Sequence, residues 1–172
     1  MVLFKNLRWV IAAIVMGFWL STAVADDFWS ATPDDLAANL AKAEQADKKG
    51  LFVFYEMEDC PFCDQIKQEV FPDATVREFI HEHFTAVMVD IESDQQLHDL
   101  TGTVTTEQAF AESQRVRATP VMIFYDVDGD EITRYVGPVR NADAFLELGT
   151  FVTSGAATQP GMNFQRYQEQ NR

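Results

Sequence analysis

The chain has 172 residues, of which 47% are hydrophobic and 14 are phenylalanine, which is enough for one domain with a sizeable core. Its net charge at pH 7 is −14, so nucleic acids and anionic membrane surfaces are poor partners for it. We therefore expect its partners to be proteins with neutral or basic contact faces. The composition gives no sign of disorder across the body of the chain.

The first 25 residues have the three parts of a secretory signal peptide. Lys5 and Arg8 supply positive charge, residues 10–20 are apolar, and Ala23-Val24-Ala25 is a small-residue cleavage signal. We predict cleavage at residue 25 and export, with no stable membrane insertion afterwards. An uncleaved anchor is the alternative, because the apolar stretch falls little short of the roughly 20 residues that a span needs.

Two helices and a strand are predicted in the first half of the mature chain. A helix begins with Thr32 as its cap and Pro33 in its first turn, and Lys48-Lys49-Gly50 ends it. The apolar run 51–55 predicts a strand that is covered on both faces. The next helix starts near residue 60 and is interrupted by a proline at residue 72, after which Asp73 caps a second segment.

The next strand is predicted at residues 84–91, and a long connection follows at residues 92–118. The connection contains a predicted helix, since Thr105 and Gln108 have the spacing of a capping box. A connection of this length either shapes the choice of partner or is a tolerated surface excursion.

A strand at residues 121–125 and a second at 131–136 are joined by Asp128-Gly129, which is typical of a hairpin turn. Asn141 is expected to cap a final helix. Residues 154–172 form a polar C-terminal extension, whose aromatic side chains either dock on the body or remain mobile.

The order of these elements predicts an α/β domain over residues 26–153. Early alternation of strands and helices indicates parallel strands with crossovers, and the late hairpin adds antiparallel strands at one edge. Because the central strands are apolar throughout, helices must cover both faces of a mixed sheet of four to five strands.

The only two cysteines, Cys60 and Cys63, lie three residues apart at the predicted junction of a strand and a helix. A disulfide that closes so short a loop stabilises a fold little, so we interpret them as a working pair. The helix start favours the thiolate of Cys60, which would attack a disulfide, and Cys63 would resolve the mixed disulfide. Pro61 supports the helix start, and Phe62 offers an apolar rim for a substrate. This chemistry requires no cofactor and no metal.

These motifs resemble the thioredoxin superfamily, and most closely the SoxW-type periplasmic thioredoxins. The similarity covers most of residues 28–170 and is carried by residues 54–63, 116–120 and 163–167. It implies the thioredoxin fold and a periplasmic reductase of protein disulfides, with a membrane thiol reductase as its electron donor. We expect a monomer, since the sequence shows no extra dimerisation domain. In that subgroup the role is linked to sulfur-compound oxidation or cytochrome c maturation.

The resemblance also implies a role for Thr119-Pro120. In this fold a cis proline packs against the cysteine pair, and the residue before it offers backbone groups to an extended peptide. We therefore predict a cis Thr119–Pro120 bond and a substrate-binding role for both residues. A trans proline at the start of a strand is the alternative.

The chain departs from the family pattern at one chemically important position. Many thioredoxins have a buried aspartate six residues before the first cysteine, where this chain has Phe54. Glu56 is the nearest candidate for the missing acid/base group. Alternatively, Glu56 ends the strand in solvent.

Acidic residues surround the cysteine motif, and they disfavour a thiolate, whereas the helix start favours it. The balance predicts a reductase, because a strong oxidase needs a strongly stabilised thiolate. Three alternatives remain open: an oxidase or isomerase, an inactive adaptor, and a metal carrier. A carrier would recruit His81, His83 or His98, although the first two lie two apart on a predicted helix and do not face together.

Overall fold

The computed structural model describes residues 28–171, so the predicted signal peptide lies outside the described residues. Twelve helices and strands follow one another along this part of the chain, with a short 3-10 helix near its end. They are α1 (Leu36–Gln45), β1 (Gly50–Glu56), α2 (Pro61–Glu69), α3 (Ala74–His83), β2 (Phe84–Asp90), β3 (Gln96–His98), β4 (Val104–Thr106), α4 (Glu107–Ser113), β5 (Val121–Asp126), β6 (Glu131–Val136), α5 (Ala142–Thr153), the 3-10 helix (Ala156–Thr158) and α6 (Phe164–Gln170).

The main sheet has four strands in the order β2-β1-β5-β6. Strand β1 is parallel to β2 and antiparallel to β5, and β5 forms the predicted hairpin with β6. The predicted mixed α/β sheet is therefore confirmed. Strands β3 and β4 form a separate two-stranded sheet inside the long connection, which the sequence reasoning missed.

Alternating side chains of β1 divide the core into two parts. Phe52 and Phe54 point to the face that also holds both cysteines, which we call the disulfide face; α2, α3 and α5 cover it. Val53 and Tyr55 point to the opposite face, which α1 and α4 cover. Both faces of β1 are buried, as its continuous apolar run predicts.

The segment before α1 closes the outer edge of β2. The backbone N–H groups of Ser30 and Ala31 donate to the carbonyl of Ala86 at 3.1 and 3.2 Å. The N–H of Ala86 donates in return to the Ser30 hydroxyl at 2.8 Å. Phe28 anchors this segment in the core, where its ring stacks on Phe71 with centroids 4.0 Å apart. An otherwise open edge of the sheet is thereby covered.

Two predicted helix starts are wrong by a few residues. The side chain of Asp35, not that of Thr32, caps α1 by accepting from the N–H of Ala38 at 2.8 Å. Likewise Thr106 rather than Thr105 caps α4, because the Thr106 hydroxyl accepts the N–H of Ala109 at 3.2 Å. Neighbouring residues of equal capping ability make such shifts hard to foresee.

The predicted end of the first helix is also wrong. Helix α1 ends at Gln45, and Gly50 is the first residue of β1 instead of a helix cap. Gly50 has a φ of +144°, and a Cβ atom there would lie 2.0 Å from the backbone oxygen of Tyr125. This glycine is needed because two strands approach each other closely, not because a helix ends.

The C-terminal extension docks on the body. Phe164 of α6 lies 6.0 Å from the ring of Tyr135 and 5.7 Å from that of Phe151, and Tyr167 also contacts Phe151. Of the two alternatives for these side chains, the structure shows the docked one. Across residues 28–171, no helix combines the length and apolar character needed to cross a membrane.

The close approach at Gly50 makes a testable prediction. We expect Gly50→Ala to lower the free energy of unfolding by on the order of 4 kcal/mol, because the carbonyl of Tyr125 cannot move without disrupting β5. Gly155→Ala is the matched control: Gly155 also has a positive φ, +77°, but no atom lies within 4 Å of the added Cβ. It should lose only about 1–2 kcal/mol. Equal losses in urea unfolding would contradict this explanation.

Candidate active site

Cys60 is the N-cap residue of α2. Its carbonyl accepts the N–H of Asp64 at 3.0 Å, and its sulfur accepts the N–H of Cys63 at 3.1 Å. The two cysteines form a disulfide with their Cα atoms 5.2 Å apart. The sulfur of Cys60 therefore lies where the unpaired N–H groups of a helix start favour negative charge.

Access to the pair is one-sided. Cys63 is fully buried, whereas Cys60 keeps 3% of its surface exposed. Pro61 is exposed, and 55% of the surface of Phe62 is accessible. An incoming group thus meets Cys60 first, with the exposed aromatic ring of Phe62 beside it in the first turn of the helix.

The Thr119–Pro120 bond is cis, as predicted. Pro120 is buried and directly precedes β5, whose first residue, Val121, pairs with Tyr55 near the end of β1. The proline is therefore at the end of the sheet from which the chain leads to Cys60. Among the described residues, no hydrogen-bond partner reaches the buried hydroxyl oxygen of Thr119.

Glu56 ends β1 and forms an ion pair with α2. Lys67 Nζ lies 2.5 Å from Glu56 Oε2 and 3.2 Å from Asp64 Oδ1. Only 13% of the Glu56 side chain is exposed, so the alternative that it ends the strand in open solvent is wrong. Burial lowers the pKa of Lys67, but the hydrogen bonds and charges of Glu56 and Asp64 outweigh it and raise that pKa overall.

Phe54 occupies the position where many thioredoxins have a buried acid. Its side chain is fully buried, and its ring lies 5.2 Å from that of Phe71 and 6.0 Å from that of Trp29. Aromatic contacts of Phe54 thus take the place of the carboxylate that many thioredoxins have at this position. The nearest acid along β1 is Glu56, on the same face of the strand.

A groove that the sequence did not reveal lies next to the loop that leads to Pro120. It has a volume of about 630 Å³ and is lined by Ile91, Glu112, Val116 and Arg117. The N–H of Ile91 donates to the carbonyl of Glu56 at 2.9 Å, so the groove begins beside the end of β1. The only sequence signal was the unusual length of the 92–118 connection.

The three histidines have contacts of their own. His81 Nε2 lies 3.2 Å from the carbonyl oxygen of Phe28, the ring of His83 packs on Phe79, and His98 lies beside Asp35. Within the described part of the chain, no three His, Cys, Asp or Glu side chains are arranged to hold a metal ion.

Comparisons with known proteins agree with this geometry. A family model for a thioredoxin-like domain matches residues 36–153. A thioredoxin-fold protein from Helicobacter pylori is 18% identical with a TM-score of 0.65, covering 86% of this chain and 91% of that one. A DsbH oxidoreductase is 18% identical, TM-score 0.56, covering 70% and 83%. A thioredoxin from Thermus thermophilus is 24% identical, TM-score 0.56, covering 73% and 89%. The similarities to these three solved structures show the fold alone. No curated protein sequence matches this chain.

The ion pair at Glu56 predicts a pH-dependent loss of stability. Lys67→Met leaves a largely buried carboxylate without its cation, so we expect a loss of about 1–2 kcal/mol in the free energy of unfolding at pH 7. Because the pair raises the pKa of Lys67, its contribution is present at pH 7 and is lost as the pH rises through that pKa, so the loss should be smaller at about pH 11.

The control is Lys49→Met, which removes the same charge from an exposed side chain. It should change stability by less than about 0.5 kcal/mol at either pH. An equal loss for Lys67→Met at pH 7 and at about pH 11 would show that the pair with Glu56 does not matter.

Proposed function

Since the chain belongs to the family of thioredoxin-like domains, we propose that it is a periplasmic thiol–disulfide oxidoreductase that reduces disulfides in other proteins. The observation that carries the proposal is the position of Cys60 at the helix start, with the N–H of Cys63 on its sulfur and Cys63 within bonding distance. This arrangement both activates one sulfur and holds a second sulfur ready to release the product.

The reaction takes two exchange steps. The thiolate of reduced Cys60 attacks one sulfur of the partner's disulfide; a mixed disulfide forms, the partner's S–S bond breaks, and the other partner sulfur leaves as a thiolate that takes a proton. Cys63 then loses its proton and attacks the sulfur of Cys60. The Cys60–Cys63 disulfide forms, the second partner sulfur leaves, and two electrons have moved to the partner.

Surrounding residues have separate roles in this proposal. The exposed ring of Phe62 and the helix start at Pro61 contact the partner, and the backbone of Thr119 and Pro120 pairs with its extended segment. Glu56 receives the proton of Cys63, and Lys67 holds that carboxylate in place on the disulfide face.

The direction of the reaction follows from the local charges. Glu58 and Asp59 immediately precede Cys60 and are exposed, and Asp64 follows one turn later. These acids oppose the stabilisation of the thiolate by the helix start, so the reduced form is not strongly favoured. A pair with this balance donates electrons and does not act as a strong oxidase.

Location and pathway complete the proposal. The signal-like first 25 residues support export, and the resemblance to SoxW-type proteins supports a periplasmic role in sulfur-compound oxidation or cytochrome c maturation. In that setting a membrane thiol reductase would return two electrons to the Cys60–Cys63 disulfide after each cycle.

Single cysteine variants test the mechanism. Cys63→Ser should accumulate a mixed disulfide on Cys60 when it meets insulin, because the resolving sulfur is missing, and the adduct is visible by mass spectrometry. Cys60→Ser should form none, and both variants should lose dithiol-driven insulin reduction. No turnover by the natural protein would refute the proposal and favour a carrier or adaptor. Turnover by Cys60→Ser would refute the role of Cys60 as the nucleophile.

A redox titration tests the direction. We expect a reduction potential well below the roughly −120 mV of a strong oxidase, towards the roughly −270 mV of thioredoxin. Glu58→Gln with Asp59→Asn should raise the potential by about 10–30 mV, because the thiolate gains stability. Asp128→Asn with Asp130→Asn removes the same charge at the far hairpin and should leave it unchanged. A potential near that of a strong oxidase would reverse the assignment.

A further inference from the structure

A chain of buried hydroxyl groups lies on the face of the sheet opposite the disulfide. The hydroxyls of Tyr55 and Tyr125 are 2.9 Å apart, and neither residue is more than 1% exposed. Tyr125 donates to the side-chain oxygen of Gln114 at 3.1 Å. An amide oxygen can only accept, so Tyr125 has used its proton there and must accept the proton of Tyr55. The direction of the chain is therefore fixed from β1 to β5 to Gln114.

Gln114 is held a second time through its backbone. Arg134 Nη1 donates to the carbonyl oxygen of Gln114 at 3.0 Å. The guanidinium is itself oriented by Glu131, which accepts from Arg134 Nε at 2.8 Å. Side chains from three adjacent strands, β1, β5 and β6, thus belong to one hydrogen-bond network that ends at Gln114, which closes α4.

The residue after Gln114 has a strained backbone. Arg115 has a φ of +60°, which favours glycine. Its N–H donates to the carbonyl of Glu112, and that of Val116 donates to the carbonyl of Ala111, both at 2.9 Å. Helices commonly end in this hydrogen-bond pattern, but usually with glycine at the position of Arg115. Such a conformation persists only where the surroundings hold it.

This turn directs the chain to the cis peptide. Val116 is buried, four residues separate Arg115 from Pro120, and the carbonyl of Pro120 accepts the N–H of Gly137 at 2.9 Å. The loop 115–120 is therefore fixed at its first end by the hydrogen bonds to Gln114. At its second end it is fixed by the hydrogen bond from Gly137, the residue after β6. A shift of Gln114 would move the loop that leads to Pro120, at the end of the sheet from which the chain continues to Cys60.

We propose that Tyr55, Tyr125 and Arg134 are positioning residues, which hold Gln114 and thereby fix the loop 115–120 where a partner peptide docks beside Cys60. The inference rests on the proposed function. Two phenylalanines would fill the same space without hydroxyls that need hydrogen-bond partners. The tyrosine hydroxyls therefore contribute the hydrogen bonds that fix the position of Gln114.

Burial also keeps the network protonated. It raises the pKa of Tyr55 well above its ordinary value, and the neighbouring Tyr125 raises it further. Burial likewise raises the pKa of Tyr125. Both hydroxyls therefore keep their protons at neutral pH, where exchange would be measured.

Tyr125→Phe tests the proposal through two reactions of the same disulfide pair. Reduction of a peptide disulfide by the reduced protein needs the docking loop, and its second-order rate constant should fall about tenfold. Reduction of the Cys60–Cys63 disulfide by dithiothreitol needs no peptide docking and should change less than twofold. Gln114→Ala, at a half-buried position, should give the same pattern and serves if Tyr125→Phe does not fold.

Ile123→Val is the control for a general loss of stability. It shortens a buried side chain on the same strand and face without removing a hydrogen bond to Gln114, and it should leave both rates unchanged. Equal changes in both reactions, or an unchanged peptide rate in folded variants, would overturn the positioning role while leaving the proposed function intact. A natural protein that does not reduce the peptide disulfide would overturn both.

Discussion

The site depends on one hydrogen bond, from the N–H of Cys63 to the sulfur of Cys60. It exists because Cys60 occupies the N-cap of α2, where a serine or aspartate would ordinarily accept the same bond. A sulfur in that position gains stability when it is charged, and Cys63, one helical turn later, is brought within bonding distance. The cap and the short distance between the sulfurs are thus consequences of a single local geometry, and the proposed activation and resolution both rest on it.

The rest of the fold places this helix start and the loop 115–120 at the same end of the sheet. Strand β1 is buried on both faces and leads to Cys60, while β5 runs back beside it from Pro120. The disulfide face is filled with aromatic rings, Phe54 among them, and the charged group nearest along β1 is Glu56, paired with Lys67. On the opposite face, Tyr125 and Arg134 donate hydrogen bonds to Gln114, from which the loop to Pro120 begins. In the proposed reaction each side of the sheet positions one half of the site.

Local patterns allowed the sequence to predict much of this arrangement. The cysteine pair, the apolar strands, the Asp73 and Asn141 caps and the cis bond at Pro120 each depend on a few adjacent residues or on family motifs. The role of Gly50 could not be predicted, since it depends on Tyr125 in another strand. The same holds for distant contacts in general: Lys67 reaches Glu56 from the next helix, and the tyrosine hydroxyls meet across two strands.

Alkylation of the reduced protein with iodoacetamide at pH 7 tests the central claim most directly, since only a thiolate reacts. With the modified residue identified by mass spectrometry, the account predicts that Cys60 is alkylated faster than in the unfolded chain, while the fully buried Cys63 stays protected. Equal modification of both cysteines, preferential modification of Cys63, or a Cys60 rate no higher than in the unfolded chain would contradict it.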